Sequence, residues 1–400
     1  MARTEVRPGQ AVRQMPKTAA VAKRVLEMPG KTSKLAVIPR QDITAAAELK
    51  EFSANQALER ANVFPQLRYM GSKYRLLPWI HGVLSRLNFD TALDAFSGSG
   101  CVGYLLKAMG KQVTSNDFLE FSYLAAEGTV ANSAVRLTAD DCALLTKSNS
   151  RRKHFIERTF SGVFFEPSDL QFLDSFWANL PQLETPEHRA LALTAMVRAC
   201  VKKQPRGVFT VAGDARRYDD GRRDLRLSLR ELFLESVVAY NLVIFDNGRR
   251  NRATRSDVFC LGAGTDLVYL DPPYVPRADD NCYIKRYHFL EGLVSYWERE
   301  DTRILPETRS RKIAKRFTPF SYRRTSIDAF ERLFRQFAES TIVLSYSSNG
   351  YPDLETLKSI LRRYKPQITV HERPHRYHFG THQNVAPERA SVQEYLVVGE

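Results

Sequence analysis

A short apolar run from Thr91 to Asp94 breaks off into Ala95-Phe96-Ser97-Gly98-Ser99-Gly100, and helical apolar spacing resumes from Cys101 to Gly110. A strand that meets a glycine loop and re-emerges as a helix commits the chain to a βα unit. Such a strand delivers Asp94 to the carboxyl edge of a sheet, where open α/β folds bind ligands. Gly98 and Gly100 let backbone approach that ligand with no Cβ in the way. The next strand-like run, Lys111 to Phe118, ends on Asp117, about 23 residues after Asp94 and at the distance where an acid accepts hydrogen bonds from ribose hydroxyls. The spacing suits several nucleotide-containing cofactors. There is no Gly-x-Gly-x-x-Gly and no Gly-Lys-Ser/Thr ending, which disfavours a dinucleotide or a triphosphate. A carboxylate at position 94 can also attract the ammonium end of a cationic cofactor.

The alternation of strand and helix predicts a doubly wound α/β domain, interrupted once. Residues 1–55 form a basic arm, with scattered Pro and one Ala-rich stretch, expected to be poorly ordered. Residues 56–150 carry the cofactor half. From 151 to 250 aromatic and helical blocks alternate with basic loops, the texture of an inserted domain, and strand patterns return over 251–400 with a plausible closing pair of strands. The 400 residues carry 59 Lys and Arg against 45 Asp and Glu, a net charge of +14, which favours a polyanionic partner. No run is apolar enough to span a membrane and the N-terminus lacks a signal-peptide core, so a cytoplasmic protein is expected. Five scattered cysteines without a Cys-x-x-Cys pair read as free thiols.

The second constraint is Asp271-Pro272-Pro273-Tyr274, where the apolar run Leu267 to Leu270 stops abruptly. Two prolines fix φ and remove two backbone donors, so the turn is stiff and the carbonyl before Pro273 is held in one direction. Chemistry on an aromatic amine needs such a device, because the nitrogen's lone pair is delocalised into the ring. The Asp271 carboxylate and the Pro272 carbonyl can each accept one amino proton and aim the lone pair at an electrophilic methyl, while Tyr274 stacks on the base. A stacked, unpaired base is one rotated out of the duplex.

In motif content and order the chain resembles the Dam-like, alpha-group family of adenine-specific DNA methyltransferases. Arg68-Tyr69-Met70-Gly71-Ser72-Lys73, the Asp94–Gly100 loop, Ser115-Asn116-Asp117-Phe118 and Leu270-Asp271-Pro272-Pro273-Tyr274 carry the likeness. The resemblance covers residues 64–145 and 250–400. It implies a Rossmann-like S-adenosylmethionine-dependent methyltransferase sheet with an inserted, mainly helical target-recognition domain. The product would be methylated at the exocyclic nitrogen of a flipped adenine in double-stranded DNA. S-adenosylmethionine would be held by Tyr69, Gly71, Ser72, Lys73, Asp94, Phe96, Gly98, Gly100 and Asp117, with Asp257 near its adenine. Asp271, Pro272, Pro273 and Tyr274 would be catalytic. Tyr283, Lys285, Arg286 and His288 resemble the family's segment beside the extruded base, and Ser345-Tyr346-Ser347-Ser348-Asn349-Gly350 its later pocket motif.

The basic loops suit phosphate or guanine contacts. Lys202, Lys203, Arg206, Arg216, Arg217, Arg222, Arg223, Arg249 and Arg250 are therefore expected on DNA, and the run from Arg303 to Arg324 is either a backbone clamp or a linker. His371, His375, His378 and His382 crowd the C-terminal region, but Pro374 breaks any regular helix between the first two, so no metal is expected. Three readings stay open: adenine in DNA, solitary or beside a cognate restriction endonuclease; another planar amine, such as the cytosine amino group or RNA adenine; and a catalytically idle DNA-binding regulator on the same fold. Intact Asp94, Asp271 and Tyr274 favour an enzyme.

Overall fold

The computed structural model describes residues 54–205, 207–210, 221–276, 282–376 and 391–400. Residues 1–53 of the N-terminal arm, Arg206, Arg216, Arg217, His378 and His382 lie outside the described residues. The described residues belong to one compact unit.

Seven strands make the central sheet: β1 (Thr91–Asp94), β2 (Gln112–Asn116), β3 (Arg252–Thr254), β4 (Leu267–Leu270), β5 (Thr341–Ser347), β6 (Ile368–Arg376) and β7 (Ser391–Gly399). Their order across the sheet is β3-β2-β1-β4-β5-β7-β6. The first five run parallel, whereas β7 is antiparallel to β5 and to β6, which is the expected closing pair. A separate two-stranded ribbon pairs Val275 with Tyr351 and Pro276 with Gly350, tying the chain after the proline corner to the end of β5.

All four residues of β4 are buried, as a central parallel strand covered on both faces requires. Because successive side chains alternate, Leu267 and Tyr269 join one apolar cluster while Val268 and Leu270 join the other. Helices α1 (Ala54–Val63), α2 (Leu77–Leu84) and α3 (Cys101–Ala108) contribute to the first cluster. So do α4 (Glu120–Ala126), α5 (Pro167–Asn179), α6 (Pro186–Lys203), α7 (Leu229–Asn241) and α8 (Tyr283–Leu293). Helices α9 (Arg323–Gln336) and α10 (Leu354–Leu361) pack on the opposite face.

The helical segment between β2 and β3 thus shares its core with the sheet. Phe209 stacks on Phe289 of α8 at 5.0 Å, and Phe160 meets Trp297 at 4.8 Å. Among the described residues no helix is long and apolar enough to cross a membrane.

The sheet reverses its order at β1, which leaves a crevice at the carboxyl ends of β1 and β4, the place where open α/β sheets bind ligands. Close approach of α3 to the sheet beneath that crevice depends on Gly103. A Cβ there would stand 2.2 Å from Ser115 Oγ and 3.1 Å from Asp94 Oδ2. Gly103→Val is therefore expected to lower stability by about 1–3 kcal/mol through overpacking, measured by urea denaturation. Adding Ser115→Ala should return part of that loss; no loss in the single variant would show that the contact is not tight.

Candidate active site

The glycine loop after β1 is held from below by an acid on the neighbouring strand. Asp117 Oδ2 accepts the Gly98 N–H at 2.8 Å and Oδ1 accepts the Leu119 N–H at 2.9 Å, so one carboxylate fixes the loops following β1 and β2. Each oxygen keeps a lone pair for a ligand hydroxyl. Gly98 sits at φ +51°, and a Cβ on it would come within 2.9 Å of the Tyr69 ring; only glycine lets Tyr69 lie on the loop. Gly100, at φ +79°, starts α3. Asp94 is 1% exposed, and its Oδ2 is buried with no hydrogen-bond partner among the described residues. That oxygen is suited to receive a cationic donor.

The segment before α2 supplies a second wall. Tyr69 stacks on Tyr287 at 5.1 Å with a 12° interplanar angle, and Met70 donates its N–H to the Tyr287 hydroxyl at 2.7 Å. Tyr283 lies 5.4 Å from Tyr69 and donates its hydroxyl to the Met70 carbonyl at 3.3 Å. Ser72 and Ser99 hydroxyls meet at 3.3 Å. Lys73, only 5% exposed, places Nζ 3.1 Å from the Gly71 carbonyl and 2.9 Å from Asp271 Oδ1.

The proline corner forms the third wall. Asp271 and Pro273 face the same cleft as Tyr69, Lys73, Asp94, Gly98 and Asp117. Pro272 is buried. Tyr274 stands outside that lining, half-buried, with its ring 5.1 Å from Tyr346. Gly350 permits this approach, since a Cβ there would lie 2.9 Å from Tyr274 Cδ2.

Three acids therefore share one enclosed space. Burial, reinforced by the neighbouring Asp271 charge, pushes Asp94 up to about 8. Burial lifts Asp117 to about 6 against the pull of its backbone donors. Asp271 is raised by burial, and Lys73 works against the rise, keeping the carboxylate charged form accessible.

The structure brings Tyr69, Gly71, Ser72, Lys73, Asp94, Phe96, Gly98, Asp117, Asp271, Pro273 and Tyr283 into the lining of one cleft. Phe96 is held edge-on to Phe320 at 5.6 Å. Tyr283, expected against DNA, instead lines the cleft. Asp257 is exposed and outside the lining; its carboxylate accepts the Phe259 N–H at 2.9 Å, so it caps its own turn. His288 is a correction: it is 0% exposed, its Nε2 is 2.7 Å from the Phe209 carbonyl, and burial lowers its pKa to about 4, so it is a core residue and no DNA contact. Its place on the inner face of α8 explains this.

Arg249 and Arg250 are also displaced from expectation. They precede the parallel strand β3 and so lie at the amino edge of the sheet, away from the cleft, with Arg249 3.9 Å from Asp90 ahead of β1. Lys202 is paired with Asp224 and Glu235, Lys203 with Asp169, and Arg223 with Glu235. Arg222 donates to the Pro205 carbonyl. Lys285 and Arg286 are half-buried at the start of α8. Among the described residues no group of His, Cys, Asp or Glu is placed to hold a metal.

Sequence reasoning did not single out Ser97, Ser99, Cys101, Phe118, Leu119 and Tyr269, which also line the cleft. Their adjacency to Gly98, Asp117 and Asp271 was the available signal.

A parallel sheet reversing at β1, closed by an antiparallel seventh strand and carrying its acids over β1, β2 and β4, is the Rossmann-like sheet of a methyltransferase. Residues 69–345 match the model of the D12 class N6 adenine-specific DNA methyltransferases, and the chain belongs to that family. It is an enzyme that methylates adenine in DNA, which decides among the readings the sequence left open. The type II methyltransferase M2.HphI of Haemophilus parahaemolyticus is 29% identical over 328 residues, covering 78% of this chain and 92% of its own. The type II methyltransferase M.NlaIII of Neisseria lactamica is 24% identical over 352 residues, covering 84% and 99%. M.FokI of Planomicrobium okeanokoites is 25% identical over 359 residues, and there the match spans 52% of the relative.

The buried acid gives a pH signature. The folded-state pKa of Asp94 lies above the usual carboxylate value near 4, so the proton it holds stabilises the fold fully below about pH 4, and that stabilisation is lost as pH rises through about 8. In the ligand-free protein Asp94→Asn should melt higher than wild type, by a margin that grows between pH 5 and pH 8.5. Calorimetry showing a constant margin would contradict the assignment.

Proposed function

We propose that the cleft over β1 binds S-adenosylmethionine and that the proline corner presents to it the amino group of an adenine turned out of double-stranded DNA. The observation that carries this reading is the position of Asp271, which shares one cleft with Asp94 and Gly98 and is held there by Lys73 at 2.9 Å. The residues suit the cofactor. The unpartnered Asp94 oxygen matches a cationic donor, and the lone pairs of Asp117 match a ribose diol. Bound S-adenosylmethionine supplies a methyl group on a sulfonium, an electrophile that needs only an oriented nucleophile.

The chain's own part is orientation and electrostatics. Lys73 holds Asp271 Oδ1 and favours its ionised form, which leaves Oδ2 to accept a hydrogen bond from one amino N–H; the Pro272 carbonyl accepts a hydrogen bond from the other. Tyr274 offers a face for the extruded base, and its contact with Tyr346 fixes the ring. Asp271→Ala should bind DNA and cofactor yet transfer almost no methyl from labelled cofactor. Lys73→Met should move the acid limb of the kcat profile to higher pH, because loss of the cation raises Asp271 further. Full transfer by the Asp271 variant would remove the corner from the mechanism.

We further propose that residues 151–250 act in target recognition through their basic portion near 202–226. Two of its described residues reach segments next to the cleft: the Phe209 N–H donates to the Arg286 carbonyl at 2.8 Å, and Asp224 is 3.6 Å from Arg68, the neighbour of Tyr69. A bacterial or phage-like cytoplasmic setting and a cognate restriction endonuclease complete the reading. Replacing Arg222 and Arg223 with Gln should reduce the salt slope of DNA binding by roughly 2 and alter the methylated sequence context read by genome-wide methylation sequencing. Unchanged slope and context would place recognition elsewhere.

A further inference from the structure

The segment before α9 carries two aromatic rings that the core does not take up. Phe317 is 65% exposed and Tyr322 42% exposed, and their rings stack at 5.3 Å with a 15° interplanar angle. They are two of the five large hydrophobic side chains exposed among the described residues. Mutual stacking shields one face of each ring and leaves the outer faces in water, an arrangement that folding alone does not favour.

The pair is rigidly mounted. The 3-10 turn Pro319–Ser321 reverses the chain between the two rings. Phe320, buried at its centre, meets Phe96 edge-on at 5.6 Å, stacks on Phe259 at 5.6 Å and contacts Phe330 at 5.5 Å. Phe96 is itself part of the cleft wall, so the turn is anchored to the active site.

Topology puts the pair on the same edge as the catalytic corner. Helix α9 feeds the parallel strand β5, so it runs back against the strands and its start, capped at Tyr322, stands at their carboxyl ends. The Arg323 guanidinium lies 4.5 Å from the Tyr351 ring. Tyr351 pairs with Val275, and the adjacent Gly350 is packed on Tyr274. A chain of contacts thus leads from Tyr274 through Gly350, Tyr351 and Arg323 to Tyr322, and Lys315, Arg323 and Arg324, close in sequence to the two rings, are exposed.

We propose that Phe317 and Tyr322 form a nucleobase-stacking platform on the lip of the catalytic cleft, with Lys315, Arg323 and Arg324 beside it for phosphates. The chemistry fits one occupant. An exposed π-face accepts any base, and the surrounding cations match the polyanion that must reach Asp271. An apolar protein surface would gain nothing from three cations. The platform would hold a nucleotide near the extruded adenine and so keep the opened strand from re-pairing. This inference rests on the reading that DNA approaches the Asp271 corner.

The test uses the full-length enzyme and a fluorescent duplex carrying the sequence that the wild-type enzyme methylates. The double variant Phe317→Ala, Tyr322→Ala should bind the duplex about tenfold more weakly, with an unchanged salt slope and unchanged affinity for S-adenosylmethionine. Arg323→Gln with Arg324→Gln should instead lower the slope by roughly 2. Tyr322→Trp keeps a ring in place, guards against a folding defect, and should bind as wild type while duplex quenches the added indole emission. Unchanged DNA affinity in the double variant overturns the platform, as does lost affinity for the cofactor alone or the absence of quenching in Tyr322→Trp. Failure of the wild-type enzyme to bind any duplex would sink the underlying reading; wild-type binding with unaffected variants would sink the platform only.

Discussion

The ion pair between Lys73 and Asp271 joins the two halves of this enzyme. Lys73 comes from the segment ahead of α2 and Asp271 from the end of β4, and the pair is largely shielded from water. Such a pair contributes little net stability, but removing one partner strands a charge and costs about 3–5 kcal/mol. Its value here is positional. It sets the carboxylate at the wall of the cleft and offsets the burial that would neutralise it. Asp94 has no comparable cation among the described residues, and burial pushes it up to about 8.

The other walls follow from the same economy of parts. Asp117 fastens two loops with one side chain. Tyr69, Tyr283 and Tyr287 make an aromatic stack that spans the segment ahead of α2 and the helix after the corner. The ribbon between residues 275–276 and 350–351 adds a third tie, from the corner to β5. Residues remote in sequence therefore meet through backbone pairing, ring stacking and a single charge pair, and the cleft owes its form to the whole sheet.

What was legible in the sequence was local. The loop from Asp94 to Gly100 announces itself through glycines that take positive φ, and the corner through prolines that end β4. The closing pair of strands showed in its alternation. What was hidden depended on direction and partner. His288 follows basic residues in sequence, yet the helical turn carries it into the Phe164 and Phe209 cluster. Arg249 and Arg250 look like the other basic loops, but parallel strand direction sends them to the far edge. Lys73 was legible as a cofactor-motif residue, whereas its partner lies almost 200 residues away in sequence, at a separation that no local pattern encodes.

The strand order also governs how the polypeptide is assembled. β1 and β2 leave the ribosome early, but β3 and β4, which flank them, emerge only after the helical segment has been made. Until then both outer borders of a two-stranded fragment offer unpaired peptide groups, the feature that invites association between nascent chains. In the folded enzyme the aromatic helices encoded in the interval share one core with Ala92 of β1 and Val113 of β2.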